Sequence, residues 1–171
     1  MVTKKDMLAE DVVDIRLKKG MKVADLIKAM GKMGGFSGQH MVEAIDITDR
    51  MLKDKNSYNF LSFPADVVST GLRGVLASAT KHFDAIMTTC GTLDHDIARA
   101  FGGKYSMGTF NVDDTQLHKL GVYRLGNVFI GTEQYGNKLE DVFTDIMHDI
   151  YSKKGHKTEW SPSELIREFG A

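Results

Sequence analysis

The stretch 83–101, FDAIMTTCGTLDHDIARAF, constrains this chain more than any other. A short apolar run, Ala85-Ile86-Met87, leads into the small residues Thr88-Thr89-Cys90-Gly91-Thr92. After these comes Asp94-His95-Asp96-Ile97-Ala98-Arg99-Ala100-Phe101, which reads as a helix. An apolar run of this length bounded by turn residues is the pattern of a buried strand. Thr92 or a residue beside it can cap the helix, with Asp94 and Asp96 in its first turn, where carboxylates oppose the positive end of the dipole. Strand, tight turn and helix in succession place the turn at the carboxyl edge of an open α/β sheet, where ligands bind. Its amides and small side chains leave room for a phosphate or a sugar. The spacing is neither G-x-G-x-x-G nor a Walker loop, so a purely structural turn satisfies the same pattern.

The segment before it repeats the arrangement. Residues 58–63 (YNFLSF) form an aromatic-rich strand that ends at Pro64, since proline fits badly inside a central strand. A polar turn over 65–73 enters a helix over 72–83, with Leu72, Val75, Leu76 and Ala79 inward. Two successive strand–turn–helix units imply parallel strands with helical crossovers. Both turns then lie on one sheet edge, forming a cleft lined by Asp66, Ser69, Thr70, Thr89, Cys90 and Gly91.

On the N-terminal side, residues 1–22 read as a polar arm. A helix follows over 23–33, stopped by Gly34-Gly35. A second, capped by Ser37, has Met41, Ile45, Thr48 and Leu52 on one face and His40 exposed. On the C-terminal side, Gly102-Gly103 ends the helix and 104–111 is an excursion. Asp113-Asp114 caps a short helix over 115–120, and 123–130 (YRLGNVFI) is a third strand followed by a polar loop, 131–137. The longest helix covers 139–154, and a polar loop covers 155–160. Ser161-Pro162-Ser163-Glu164 then starts a last short helix, with cap, proline and acidic residue in their usual places. Three strands make a narrow parallel sheet, so the pattern expects further protein to follow or to dock, and a chain that is not a monomer.

Composition narrows the function classes. With 22 basic and 23 acidic residues and a net charge of −1, the chain has no electrostatic footprint for nucleic acid or for a membrane surface. Cys90 is the only cysteine, which rules out an internal disulfide and a cysteine-based zinc site, and no metal site is expected. The N-terminus has no signal-peptide pattern and no run approaches a membrane span, so a cytoplasmic protein of one domain is expected.

Several separate motifs carry a resemblance. FLSFPADVVSTGLRG, DAIMTTCGTLDHDIARAFGGKY, LGVYRLGNVFI, KLEDVF and TEWSPSELIREFG, together with LIKAMGKMGGFSGQHMVEAIDI nearer the start, resemble deoxyhypusine synthase of the archaeal type, in order, from about residue 14 to the end. The resemblance implies a Rossmann-like parallel sheet with helices on both faces, here partial and completed by a partner or a C-terminal half. Residues 1–171 would form the front half of one NAD-binding domain. It implies a tetramer-like assembly with sites at subunit interfaces. It implies NAD-dependent transfer of the aminobutyl group of spermidine to one lysine of the hypusine-containing translation factor. Thr89-Cys90-Gly91 matches the family's NAD-contacting segment, Ser69 a serine of the neighbouring loop, and Asp94-His95-Asp96 the acidic segment behind it. Thr132 and Glu133 lie in the loop that approaches the polyamine in the family.

The sequence also departs from the pattern. Asp66 stands where the family usually has asparagine, and Ala65 where it has glycine or a small polar residue. Gly131-Thr132-Glu133-Gln134-Tyr135 lacks the usual proline. The family's catalytic lysine, in a Trp-Gly-Lys motif, has no counterpart, because Trp160 sits in Glu159-Trp160-Ser161-Pro162. No catalytic residue is therefore nominated. The expected function is that of a half-chain active only with a C-terminal-half chain carrying the lysine. The alternatives are a non-catalytic regulatory or assembly subunit of a full-length synthase and a related polyamine transferase such as homospermidine synthase.

Overall fold

The computed structural model describes residues 2–155 and 159–171, so residues 156–158 of the loop expected over 155–160 lie outside the described residues. The chain divides into two compact units, residues 1–59 and 60–171.

The first unit is helical. Helix α1 (Lys4–Met7) starts with a reciprocal capping box in which Thr3 Oγ1 accepts from the Asp6 amide and the Asp6 carboxylate accepts from the Thr3 amide. Helices α2 (Val23–Met30) and α3 (Phe36–Lys53) are separated by a glycine turn in which Gly34 has φ +61°. The α3 cap is Gly35, not Ser37 as expected, and no side chain bonds to its first amides. His40 is exposed, as the sequence indicates. None of the three helices buries a residue fully, and Ser57 Oγ, bonded 2.9 Å from Met51 O, ties down the chain leaving α3.

The second unit is mixed α/β. Strands β1 (Phe60–Phe63) and β2 (Ala85–Thr88) pair in parallel, Phe60 opposite Ala85 and Phe63 opposite Thr88. The crossover between them carries α4 (Asp66–Ser69), α5 (Arg73–Ala79) and a 3₁₀ turn over Thr80–His82. Helix α6 (Cys90–Ala100) follows β2 directly. The partial α/β architecture matches expectation, but β2 is not buried: Ile86 is 46% and Met87 66% exposed, because among the described residues β1 is the one strand paired with it.

The expected third parallel strand is not there. Residues 122–131 fold back on themselves as β4 (Val122–Leu125) and β5 (Val128–Gly131), an antiparallel hairpin around Gly126-Asn127. Gly126 has φ +59° and Asn127 does not, the pattern of a type II′ turn, whose twist suits a hairpin. Residues 105–107, expected to be an excursion, are a strand, β3, paired antiparallel to β5, so the second sheet has the order β3-β5-β4. Helix α7 (Asp114–Lys119) is capped by Asp113, whose Oδ1 accepts from the Thr115 amide at 2.9 Å. Helix α8 (Gly136–Lys154) is the longest element, and α9 (Pro162–Phe169) carries the expected Ser161–Glu164 capping box with proline in the first turn. Phe169 of α9 meets Phe143 of α8 edge to face at 5.6 Å. The core of this unit is Val68, Ile97, Ala98, Leu117, Ile130 and Ile150.

Candidate functional site

Helix α6 begins earlier than its sequence indicates. Thr89 occupies the N-cap with extended backbone (φ −91°, ψ 158°), and Cys90, Gly91 and Thr92 make the first turn. Asp94 and Asp96 therefore lie beyond that turn, and no carboxylate sits in it. The Thr89 side chain makes no cap bond; the Thr92 amide donates to Thr89 O at 3.0 Å, and the Cys90 and Gly91 amides keep the open donors of a helix start. The hydroxyls behind the turn are engaged elsewhere. Thr88 Oγ1 donates to Phe63 O across the parallel pair at 2.7 Å, which leaves Thr92 Oγ1 to donate to it at 2.6 Å.

The turn after β1 comes close to the start of α6 at one place. A Cβ on Gly91 would stand 3.1 Å from Ala65 Cβ, so only glycine lets the two turns approach without displacement. From there α4 runs alongside α6. Asp66 is exposed and lies within electrostatic reach of His95. Ser69 is 3% exposed, with its hydroxyl donating to Asp66 O at 2.7 Å. Thr70 Oγ1 donates to Val67 O at 2.7 Å and accepts from the Leu72 amide at 3.1 Å. Of the six cleft residues expected from topology, Asp66, Thr89, Cys90 and Gly91 gather where the turns meet. Ser69 and Thr70 lie toward the far end of α6, where with Arg99 and Tyr105 they line a cavity of about 250 Å³, and their hydroxyls bond to carbonyls of their own turn.

One helical turn past Gly91, two tyrosines contact His95 and a third packs behind them. Its Nδ1 is 2.8 Å from Tyr105 Oη, and its ring stacks on Tyr135 with centroids 5.0 Å apart and planes at 29°. Tyr123 meets Tyr135 edge to face at 6.5 Å. Tyr135 Oη donates to Asp94 Oδ2 at 3.5 Å, and Cys90 lies close enough to affect the same phenol. His95, Tyr123 and Tyr135 line a cavity of about 340 Å³. Burial pushes the His95 pKa down from its ordinary value; the carboxylates of Asp94 and Asp66 oppose this and the Arg99 guanidinium adds to it. Burial also raises the Tyr105 phenol to about 12 and moves Tyr135 in the same direction, so both phenols stay protonated at neutral pH.

Thr132 and Glu133 belong to a 3₁₀ turn (Thr132–Gln134) immediately before α8. The Thr132 amide donates to Gly121 O at 2.9 Å, and Gln134 Oε1 accepts from the Lys104 amide at 2.9 Å, so one backbone bond and one side-chain bond hold this loop. Reasoning from sequence missed Tyr105, Tyr123, Tyr135 and Arg99. The available signal was on α6, where Thr92, His95 and Arg99 share one helical face by their spacing of three and four.

Chemically, the site has two characters. The open Cys90 and Gly91 amides at the start of α6 fit the phosphate groups of a dinucleotide. Asp94 beside the ring of Tyr135 fits a cationic amine, which carboxylates and aromatic faces both attract. Among the described residues there is no group of three or more histidine, cysteine or carboxylate side chains able to hold a metal ion, and no helix long and apolar enough to cross a membrane.

The profile of the family described as "Deoxyhypusine synthase" matches residues 25–171. A protein of Sulfurisphaera tokodaii named probable deoxyhypusine synthase is 43% identical over 169 residues, covering 98% of this chain and 53% of that protein. Proteins of the same name from Picrophilus torridus and Ignicoccus hospitalis are 43% and 42% identical, covering 96% and 99% of this chain and 52% of each of those proteins. The chain thus spans about half the length of these relatives.

Proposed function

The chain belongs to the deoxyhypusine synthase family, and from that premise we propose that it is the NAD-binding front half of such an enzyme, acting in the cytoplasm. In this reading it takes part in the transfer of the spermidine aminobutyl group to a lysine of the hypusine-containing translation factor. It does so once it is assembled, in a tetramer-like oligomer, with polypeptide that carries the catalytic lysine. The observation that carries the reading is the meeting of the two turns: the uncapped start of α6 at Thr89-Cys90-Gly91, with Gly91 against Ala65 and Asp66 alongside. NAD would supply a hydride acceptor and donor there.

The chain's own residues would do the rest. The leading amides of α6 would hold the cofactor's phosphates. Asp66, whose carboxylate can accept from hydroxyls, would take a ribose; placed against a phosphate it would repel it. Asp94 and the Tyr135 ring would draw the polyamine's ammonium groups toward His95. The imidazole, held neutral by burial, can accept a proton. The exposed apolar residues of β2, Ile86 and Met87, support an assembled state.

Calorimetric titration of NAD into the chain, alone and mixed with a polypeptide bearing the missing lysine segment, tests the reading. NAD- and spermidine-dependent labelling of the translation factor is then measured on the mixture. Binding that Gly91→Val abolishes, with transfer only in the mixture, is the expected result. Absence of NAD binding in both preparations would remove the proposal and favour the regulatory-subunit alternative, to which Asp66 in place of the family's asparagine also points.

A further inference from the structure

The side chain of Arg99, at the far end of α6, reaches back to the crossover. Its Nη1 donates to Val68 O at 2.8 Å and to Thr70 O at 2.6 Å, carbonyls 31 and 29 residues away in sequence. Helix α4 is only four residues long, too short to satisfy its own final carbonyls. A guanidinium at that end both bonds them and complements the negative end of the turn. The same guanidinium lies 5.5 Å from the centroid of the Tyr105 ring, and Tyr105 Oη is the partner of His95 Nδ1. One planar cation thus touches the turn that carries Asp66 and the ring that holds His95, a pairing that a lysine cannot reproduce in full.

We propose that Arg99 is a positioning residue: through Val68 O and Thr70 O it fixes the 66–70 turn against α6, and so sets where Asp66 stands relative to the start of that helix. The consequence for a bound dinucleotide rests on the function proposed above; the anchoring itself does not.

The test compares hydrogen exchange in the full chain for wild type, R99K and R99M. Four amides report on the turn: Val68 bonded to Ala65 O at 2.9 Å, Thr70 to Val67 O at 3.3 Å, Arg73 to Thr70 O at 3.4 Å, and Leu72 to Thr70 Oγ1 at 3.1 Å. In R99M these amides exchange about tenfold faster or more, the size expected when a charged hydrogen-bond donor is withdrawn. Amides in β4, β5 and α8 keep their wild-type rates, and thermal unfolding of the rest of the unit is unchanged. R99K, which keeps a charged donor, restores most of the protection. NAD titration of the same proteins shows R99M weakened by about tenfold, with R99K in between. Unchanged exchange at the four amides, or acceleration spread evenly over residues 60–171, overturns the proposal. If wild type binds no NAD, the cofactor reading falls while the exchange rates still decide the role of Arg99.

Discussion

The two turns at the carboxyl edge of β1 and β2 face the same problem, how to leave a parallel strand, and solve it in opposite ways. The turn after β1 is closed. Ser69 and Thr70 return their hydroxyls to carbonyls of the same turn, Val68 is 4% exposed, and Arg99 covers the carbonyls that remain. The turn after β2 is open. Thr89 caps without a side-chain bond, Cys90 is exposed, and of the first three amides of α6 only that of Thr92 is engaged, by Thr89 O at 3.0 Å. A turn whose polar groups are satisfied internally is a support, and one whose donors are unspent can take a ligand. In the function proposed above, binding would fall to 89–91 and support to 66–70, with Asp66 as the part of the support that would reach the ligand.

The largest expected effect breaks the open turn from behind. Helix α6 ends in a Schellman motif, with Gly102 at φ +87°, its amide donating to Arg99 O and the Gly103 amide to Ala98 O at 2.7 Å. A Cβ on Gly103 would stand 2.6 Å from Ala98 O and 2.8 Å from Gln134 O, both backbone atoms that cannot swing aside. Gly103→Ala should destabilise the chain by about 2 kcal/mol or more in urea titration. A loss within a few tenths would mean that the motif can relax and that α6 is not held from its end.

Val68→Ala comes next and strikes the closed turn. Two buried methyl groups are lost beneath α4, at a cost of about 2 kcal/mol. The effect should be on stability, with NAD affinity per folded molecule little changed. A large loss of affinity at unchanged stability would show that the closed turn is itself a binding element. Thr88→Val is smaller and sharper, because it cuts the hydroxyl that joins the turns, the bond to Phe63 O and the acceptance from Thr92. The loss should be about 1 kcal/mol, read from the shift in urea midpoint at unchanged slope.

The parts of this molecule legible in its sequence are those that local rules decide. Ser161-Pro162-Ser163-Glu164 forms its capping box, Asp113 caps α7, and 60–63 and 85–88 pair as parallel strands, because caps and short apolar runs act over a few residues. Residues 123–130 read as one strand because of their apolar character, and the structure folds them as two. The Gly126-Asn127 dipeptide at their centre is a hairpin signal that outweighs that character. The sequence pattern starts α6 later than the structure does, because Thr92 has the chemistry of a cap. Thr89 takes that position, and the hydroxyl of Thr92 turns back to Thr88. The aromatic side of the site was illegible for another reason. Tyr105 and Tyr135 reach His95, and Tyr123 packs on Tyr135, from three places in the chain, β3, the approach to α8 and β4, and only tertiary structure brings them together.

The smallest expected effect concerns that aromatic side and carries a definite sign. Burial favours the neutral imidazole of His95, against the pull of Asp94 and Asp66 and with the push of Arg99, so its folded pKa lies below the ordinary 6.5. The unfolded chain then binds a proton that the folded chain refuses as pH falls below 6.5, and stability rises with pH across that window. Above it the imidazole is neutral in both states and the contribution is flat. His95→Gln can still bond to Tyr105 but cannot titrate, so urea midpoints measured from pH 5 to pH 7.5 should depend less steeply on pH in the variant than in wild type. Equal slopes would mean that the imidazole takes its proton as readily in the folded chain as in the unfolded one. The aromatic side would then be as open as the turn after β2, and the contrast between a sealed support and an exposed binding edge would stop at Gly91.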